Sequence, residues 1–291
     1  MAVAVPLPHA AAMSGVVLAD LLAAVACGGL VGVALGLTGG GGSIFAVPLL
    51  IYALGVAPAG AMTISLVAVA ATALVGAIQS LRRALIVWQP SLLFAFGGIV
   101  GAPAGAATAR LAEPHWLVAG FALLALLVGS LLWRAARVHP EQATAVRAQS
   151  YAAGSGPVCV LAPDGQLRFT APCAIILAII GVGTGFLSGL FGVGGGFVIV
   201  PALVLVTRMG VHRAVATSLL VISIIGSAGA AGAMWEGGVA WQVLLPFAAG
   251  GAVMMIVTRL FAARIAGPKL QRAFAVAIVA VGLSMLVESF L

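Results

Sequence analysis

Long apolar segments separated by short turns make up most of this chain. They fall at 15–37, 43–54, 60–81, 89–109 and 115–133, then at 173–191, 197–207, 214–235, 240–262 and 270–290. Most are close to the roughly 20 residues that a helix needs to cross a bilayer. Segments 43–54 and 197–207 are shorter, and each follows a run of glycines. The pattern predicts an all-α integral membrane protein, a polytopic helical bundle with glycine-broken hairpins.

One long polar stretch interrupts the pattern between the fifth and sixth segments. Residues 138–171 contain His139-Pro140, Gly154-Ser155-Gly156-Pro157 and Pro163-Asp164-Gly165, which is the chemistry of loops and turns. This stretch predicts a linker between a first transmembrane repeat, 15–137, and a second, 172–291.

The two halves repeat at a nearly constant offset of 153 residues. Glycines, hydroxyl residues and a Trp-Gln pair share this register: Gly28, Gly32 and Gly36 with Gly181, Gly185 and Gly189; Gly39, Gly41 and Gly42 with Gly192, Gly194 and Gly195; Ser65 with Ser218; Trp88-Gln89 with Trp241-Gln242. Chance explains such a clustered set poorly, so we infer an internal duplication. Each repeat is predicted to hold one broken hairpin and three transmembrane helices, as in many secondary transporters.

Composition excludes a soluble fold, because only 7% of the residues are charged and 63% are hydrophobic. Soluble domains carry about 25% charged residues. The net charge of +7 comes from basic residues between apolar segments, which points to membrane orientation and not to nucleic-acid binding. Three cysteines without a CxxC pair suggest neither a zinc site nor a disulfide framework. We therefore expect free thiols and no metal or cofactor.

Loop charges predict how the chain is oriented. If each broken hairpin returns to the face where it began, each half crosses an odd number of times and the second repeat is inverted. Twelve of the thirteen Lys and Arg residues then share the face of the linker, and only Arg110 lies opposite. The positive-inside rule predicts a cytoplasmic linker, with both termini on the opposite side of the membrane.

The glycine runs are the first candidate site. They read Thr38-Gly39-Gly40-Gly41-Gly42-Ser43 and Gly192-Val193-Gly194-Gly195-Gly196, each at membrane depth between apolar helices. Irregular backbone survives there only when it is buried in protein or lines a cavity. Helix N-termini near Ser43 and Phe197 would present N–H donors and partial positive charge, which suit an anion. The alternative is a tight turn that needs glycine only for packing.

Other polar residues are fewer and more ambiguous. Ser65 and Ser218 lie one helix downstream of the glycine runs and either donate to an anion or bond a backbone carbonyl. Trp88 and Trp241 at helix starts are typical of interfacial anchors. Arg259 is near the end of its helix, where a side chain of this length could snorkel to the surface. The Gly28-x3-Gly32-x3-Gly36 spacing predicts a helix-packing face.

Two rival classes fit less well. An intramembrane hydrolase needs a base near a nucleophile, yet His9, His115, His139 and His212 all fall at ends or in loops, away from Ser43 and Ser65. A non-transporting assembly subunit would not need two breaks in membrane helices. We therefore expect no catalytic activity.

The segments Gly36–Pro48 and Gly189–Pro201, with the Trp88 and Trp241 stretches, resemble the sulfite exporter TauE/SafE family over nearly the whole chain. The resemblance implies a permease of the bacterial inner membrane, with periplasmic termini, for sulfite, organosulfonates or related sulfur-containing anions. It is expected to work by alternating access. A transporter or channel for another small organic or inorganic anion is the alternative. The expected partners are a small anion and membrane lipid. The substrate-binding residues predicted are Thr38, Gly39, Gly40, Gly41, Gly42, Ser43, Ser65, Gly192, Gly194, Gly195, Gly196 and Ser218.

Overall fold

The computed structural model describes residues 10–138, 160–161, 167–168, 171–207, 209–235, 240–265 and 268–289. The first half contains α1 (Ala10–Thr38), α2 (Gly41–Ala53), α3 (Pro58–Arg82), α4 (Trp88–Leu111) and α5 (Pro114–Val138). The second half contains α6 (Ala171–Phe191), α7 (Gly196–Thr207), α8 (Val211–Trp235), α9 (Trp241–Ile265) and α10 (Pro268–Ser289). The helices follow the apolar segments of the sequence closely. Two short antiparallel strands in the predicted linker, β1 (Val160–Leu161) and β2 (Leu167–Arg168), depart from the all-helical expectation.

Both predicted breaks are present at the glycine runs. α1 ends at Thr38 and α6 at Phe191, and the next residues, Gly39 and Gly192, have φ of 74° and 67°. This left-handed conformation suits glycine, which has no Cβ to clash with the backbone. The helices that follow differ: α2 passes through 3₁₀, α and π geometry, whereas α7 is a regular helix of 12 residues.

Six helices in the described part of the chain are long and apolar enough to cross a membrane. Their apolar spans are Ala19–Thr38, Pro58–Arg82, Trp88–Leu111, Cys173–Phe191, His212–Gly232 and Trp241–Phe261. The described apolar parts of α2, α5 and α10 are shorter. At 1.5 Å per residue, α7 covers roughly 18 Å, about half of the hydrocarbon core. The chain is therefore a multi-pass membrane protein in which α7 reaches only part of the way across.

The first glycine stripe lets α1 approach α9 at backbone distance. A methyl group on Gly32 would overlap the carbonyl oxygen of Gly251, and one on Gly28 would overlap that of Phe247. Gly36 packs against the side chain of Thr258. These contacts advance in the same direction along both helices, so α1 and α9 are parallel. The predicted packing role of this stripe is confirmed.

The second stripe repeats the arrangement between α6 and α4. Gly181 packs on Phe94, Gly185 on the backbone of Gly98, and Gly189 on that of Ala102. These helices are also parallel. The first helix of each half therefore packs on the fourth helix of the other half, as expected for a pseudo-twofold relation between the halves.

Equivalent helices of the two halves also meet, but they run antiparallel. On α3 and α8, Leu66 packs against Gly229, whereas Gly76 lies near Leu219. On α5 and α10, Gly129 lies against Val279, and Gly282 against Leu126. The largest cluster of buried apolar side chains takes residues from every helix except α5 and α10.

Residues near the membrane faces are partly as expected. Trp88 and Trp241 begin α4 and α9 with exposed rings, as interfacial anchors do. Cys27 is a free, buried thiol. The expectation of free thiols is wrong for Cys173, which is disulfide-bonded.

Candidate functional site

The two glycine loops, Gly39–Gly42 and Gly192–Gly196, meet inside the bundle. Gly40 and Gly196 are in backbone contact, and a Cβ added to Gly196 would lie 2.9 Å from the Cα of Gly40. Each loop also packs on the early part of a helix from the other half. Gly39 lies against Val215 of α8, and Gly192 lies against Met62 of α3. The structure thus brings the two predicted loops together, with the N-terminus of α7 at their contact.

Hydrogen bonds within the protein occupy both hydroxyls at the first loop and the N–H groups of Gly39 and Gly42. The Gly39 N–H donates to Leu35 O at 2.7 Å. Thr38 Oγ1 donates to Ala34 O at 2.7 Å and accepts from the Gly42 N–H at 3.2 Å. Ser43 Oγ donates to Gly40 O at 2.7 Å. These bonds fix the shape of the loop and the start of α2.

Ser218 is also part of this bonding. Its hydroxyl lies 2.7 Å from Gly39 O and 2.8 Å from Val215 O, both of which can accept its hydrogen. The bond to Gly39 ties α8 to the first loop. The sequence left open whether Ser218 donates to an anion or to a backbone carbonyl, and the structure shows the bond to a carbonyl.

Ser65, the repeat counterpart of Ser218, has no such bond. Its side chain is fully buried, and its Oγ has no hydrogen-bond partner. Met62 and Val69, one turn to either side on α3, lie against Gly192 and Gly194. The free hydroxyl therefore belongs to the face of α3 that covers the second loop.

Ser188 is a second free hydroxyl at the same loop, and sequence reasoning missed it. Its side chain is 1% exposed, and its Oγ has no partner. A Cβ on Gly195 would lie 3.5 Å from the Cβ of Ser188 and 2.8 Å from Thr184 O. A comparison of the repeats could have found Ser188, because it is a hydroxyl residue where the first half has the apolar Leu35.

The two loops differ in their access to the surface. Thr38 and Gly41 are partly exposed, whereas Gly39, Gly40 and the whole of 192–196 are buried. Within the described residues, the second loop is therefore closed off, and the first loop has one open side.

Other polar candidates are placed elsewhere. Thr217 accepts a hydrogen bond from the Val87 N–H at 3.2 Å, and Thr63 donates to Ala59 O at 3.3 Å. Arg259 is 9% exposed, so the expectation that it snorkels to the surface is wrong. Among the described residues, no three His, Cys, Asp or Glu side chains form a group that could hold a metal.

A groove of about 260 Å³ lies apart from the loops, between α2 and α10. Its lining is mostly apolar and includes Phe45, Pro48, Leu49, Tyr52, Val281 and Ser284. None of the loop glycines lines this groove. Its mostly apolar lining suits lipid acyl chains better than an anion.

Together, the architecture defines a class of protein. Two helices, α1 and α6, end at buried glycine loops that pack on each other, and discontinuous helices of this kind are found in many membrane transporters. The family model for the sulfite exporter TauE/SafE family matches residues 24–285. The chain belongs to this family and is a membrane transporter.

Curated relatives extend the similarity over nearly the whole chain. Two proteins of Xylella fastidiosa, from strains Temecula1 and 9a5c, are each described as a probable membrane transporter protein and are 34% identical. In both, the match covers 93% of this chain and 97% of the relative. YunE of Bacillus subtilis, with the same description, is 28% identical over 76% of this chain and 80% of its own length. No solved structure matches the chain.

The repeat-related serines should respond differently to removal of the hydroxyl. Ser218→Ala loses a bond to Gly39 and should lower the free energy of unfolding by about 1 kcal/mol. Ser65→Ala removes a buried hydroxyl without a partner, so stability should be unchanged or slightly higher. Thermal unfolding in detergent, without added oxyanions, compares the two. An equal loss of stability in both variants would show that Ser65 is bonded in the folded protein.

Proposed function

We propose that this chain is a secondary transporter of small anions and that the anion binds where the two glycine loops meet. One observation carries the proposal: Ser65 and Ser188, two buried hydroxyls without partners, flank the second loop. A buried donor without a partner costs on the order of 1–3 kcal/mol. An oxyanion would accept both hydrogens and remove that cost.

The surrounding backbone supports a negative charge at this point. The N-terminus of α7 begins at Gly196, in contact with Gly40, and a helix N-terminus carries about half a positive charge. Gly194 and Gly195, with φ of 72° and 62°, keep side chains away from the anion. Neutral donors hold an anion less tightly than a lysine or arginine, which favours release on the far side.

The first loop has a different role in this proposal. The hydroxyls of Thr38, Ser43 and Ser218 hold the loop in shape. The N–H group of Gly40, just before α2, makes no hydrogen bond to the described loops and side chains, so it completes the site together with that of Gly41 at the start of α2. Partial exposure at Gly41 marks the side from which the anion reaches it.

Sulfite, organosulfonates and related sulfur-containing anions are the substrates proposed, because the matching family model is described as that of sulfite exporters. Another small organic or inorganic anion, carried by a transporter or a channel, is the alternative. Burial of the whole second loop argues against a continuously open channel. It supports alternating access, in which the loops open to one side at a time.

Helix directions support two inverted repeats, 15–137 and 172–291, joined by the linker 138–171. Equivalent helices, α3 with α8 and α5 with α10, run antiparallel where they pack. A twofold axis that relates antiparallel helices lies perpendicular to them, and therefore in the membrane plane. Alternating access then becomes an exchange of roles between the repeats.

Loss of the free hydroxyls should weaken anion binding. Ser65→Ala and Ser188→Ala each remove one hydrogen bond to the anion, about 1–2 kcal/mol, so the apparent Kd should rise roughly 5- to 30-fold. Counterflow of labelled sulfite, sulfoacetate and acetate in proteoliposomes measures both affinity and selectivity.

Ser130→Ala is the matched control, because Ser130 is exposed and donates to Leu127 O at 2.7 Å. It should leave transport unchanged. Wild-type affinity in a folded Ser65→Ala, Ser188→Ala double variant would remove the site from the second loop.

Orientation is tested by reporter fusions. We expect the linker to be cytoplasmic, because twelve of the thirteen Lys and Arg residues fall on its side in the inverted topology. The disulfide at Cys173 argues for the opposite orientation of the linker, because disulfides are rare in the cytoplasm. Fusions at Gly154 and Leu291 should report opposite sides, with Leu291 periplasmic. The same side for both would contradict inverted repeats.

A further inference from the structure

Arg259 is a buried cation in a membrane helix. Its side chain is 9% exposed, and its Nη1 is buried without a hydrogen-bond partner. The two acidic side chains whose exposure is described, Asp20 and Glu113, are both on the surface, and Glu113 lies 3.2 Å from His115. Within the described residues, Arg259 therefore has no countercharge. A buried charge without a partner is strongly unfavourable.

The neighbours of Arg259 connect it to the first glycine loop. Thr258, the residue before it, packs against Gly36 of α1, two residues from Thr38. Thr38 and Gly41 form the partly exposed side of that loop. Arg259 thus follows, along α9, the residue that contacts the end of α1 just before the first loop.

A second arginine lies on the same side of the bundle as Arg259. Arg83 comes two turns after Gly76 on the chain, and Arg259 one turn after Met255, which contacts Gly76. Gln79, one turn earlier on the same face of α3, has a buried Oε1 without a partner. The α3 face is in register with α9, because Gly76 lies against Met255. Two cations and unsatisfied polar atoms at one place are the surroundings that an anion needs.

The fold does not require this charge. The repeat counterpart of Arg259 is Ala106, and that of Thr258 is Gly105. Gly189 is in contact with the backbone of Ala102 and Ala106, with no charged side chain beside it. Among the described residues, this pair of positions carries a cation in the second half and none in the first.

From these contacts we propose that Arg259, with Arg83, forms a second anion-binding station between the first glycine loop and the basic face of the membrane. This station rests on the proposed function in one respect: the same anion passes through it and through the site at the glycine loops. Arg259 pairs with an oxyanion as it enters or leaves, and Arg83 draws the anion from the surface. The charge is compensated only while the anion is bound.

Arg259→Gln is the direct test, with labelled sulfite as the probe. Its apparent Kd for sulfite should rise about 10- to 100-fold, because a charge-assisted hydrogen bond is lost. Its Tm without anion should rise, since an uncompensated buried charge is removed. The stabilisation by sulfite, measured against chloride at equal ionic strength, should be smaller than in the wild type, because only the site at the loops remains. Arg259→Lys should keep most of the binding.

Arg82→Gln is the matched control, because it removes the same charge from a residue that is exposed at the end of α3. It should bind sulfite like the wild type. Wild-type affinity in folded Arg259→Gln overturns the station. If that variant does not fold, Arg83→Gln replaces it: a clear loss of sulfite affinity supports the station, and wild-type affinity overturns it.

Failure of the station and failure of the proposed function give different results. A wild type that transports sulfite, with Arg259→Gln unchanged, keeps the function and removes the station. A wild type that is stabilised by sulfite through Arg259 but moves none of sulfite, sulfoacetate and acetate keeps the station and removes the function. A wild type that neither binds nor transports these anions overturns both.

Discussion

The backbone contact between Gly40 and Gly196 is the constraint on which the rest of this structure depends. A helix broken within a bilayer leaves N–H and C=O groups that lipid cannot satisfy. Here the two breaks shield each other, and each also packs on a helix from the other half. Because the loops cover one another, polar backbone can lie at membrane depth. The same closeness excludes side chains from the contact.

Glycine stripes hold the loops in this position. α1 lies on α9 through Gly28 and Gly32, and α6 lies on α4 through Gly181 and Gly185, all at backbone distance. A larger side chain at any of these positions would move a helix that ends in one of the loops. Packing and the proposed binding are therefore linked: the stripes set the positions of α1 and α6, and these helices set the distance between the loops.

The sequence predicts the helices, both breaks and the packing stripe on α1, because apolar length and glycine spacing are local signals. It does not predict which hydroxyls remain free. Ser65 and Ser218 occupy equivalent positions, yet only Ser218 reaches a carbonyl, and that difference depends on contacts between distant segments. The burial of Arg259 was missed for the same reason, since its position near a helix end suggested access to the surface. Ser188 was detectable by comparing the repeats, in which its counterpart is Leu35.

The central claim is that an oxyanion binds at the contact of the glycine loops, between neutral donors. Crystals grown with selenite, a sulfite analogue with a strong anomalous signal, would locate the anion directly. The account predicts an anomalous peak beside the second loop, within hydrogen-bond distance of the Ser65 or Ser188 hydroxyl. Selenium bound elsewhere in a folded, transport-competent protein, with no peak at the loops, would contradict it.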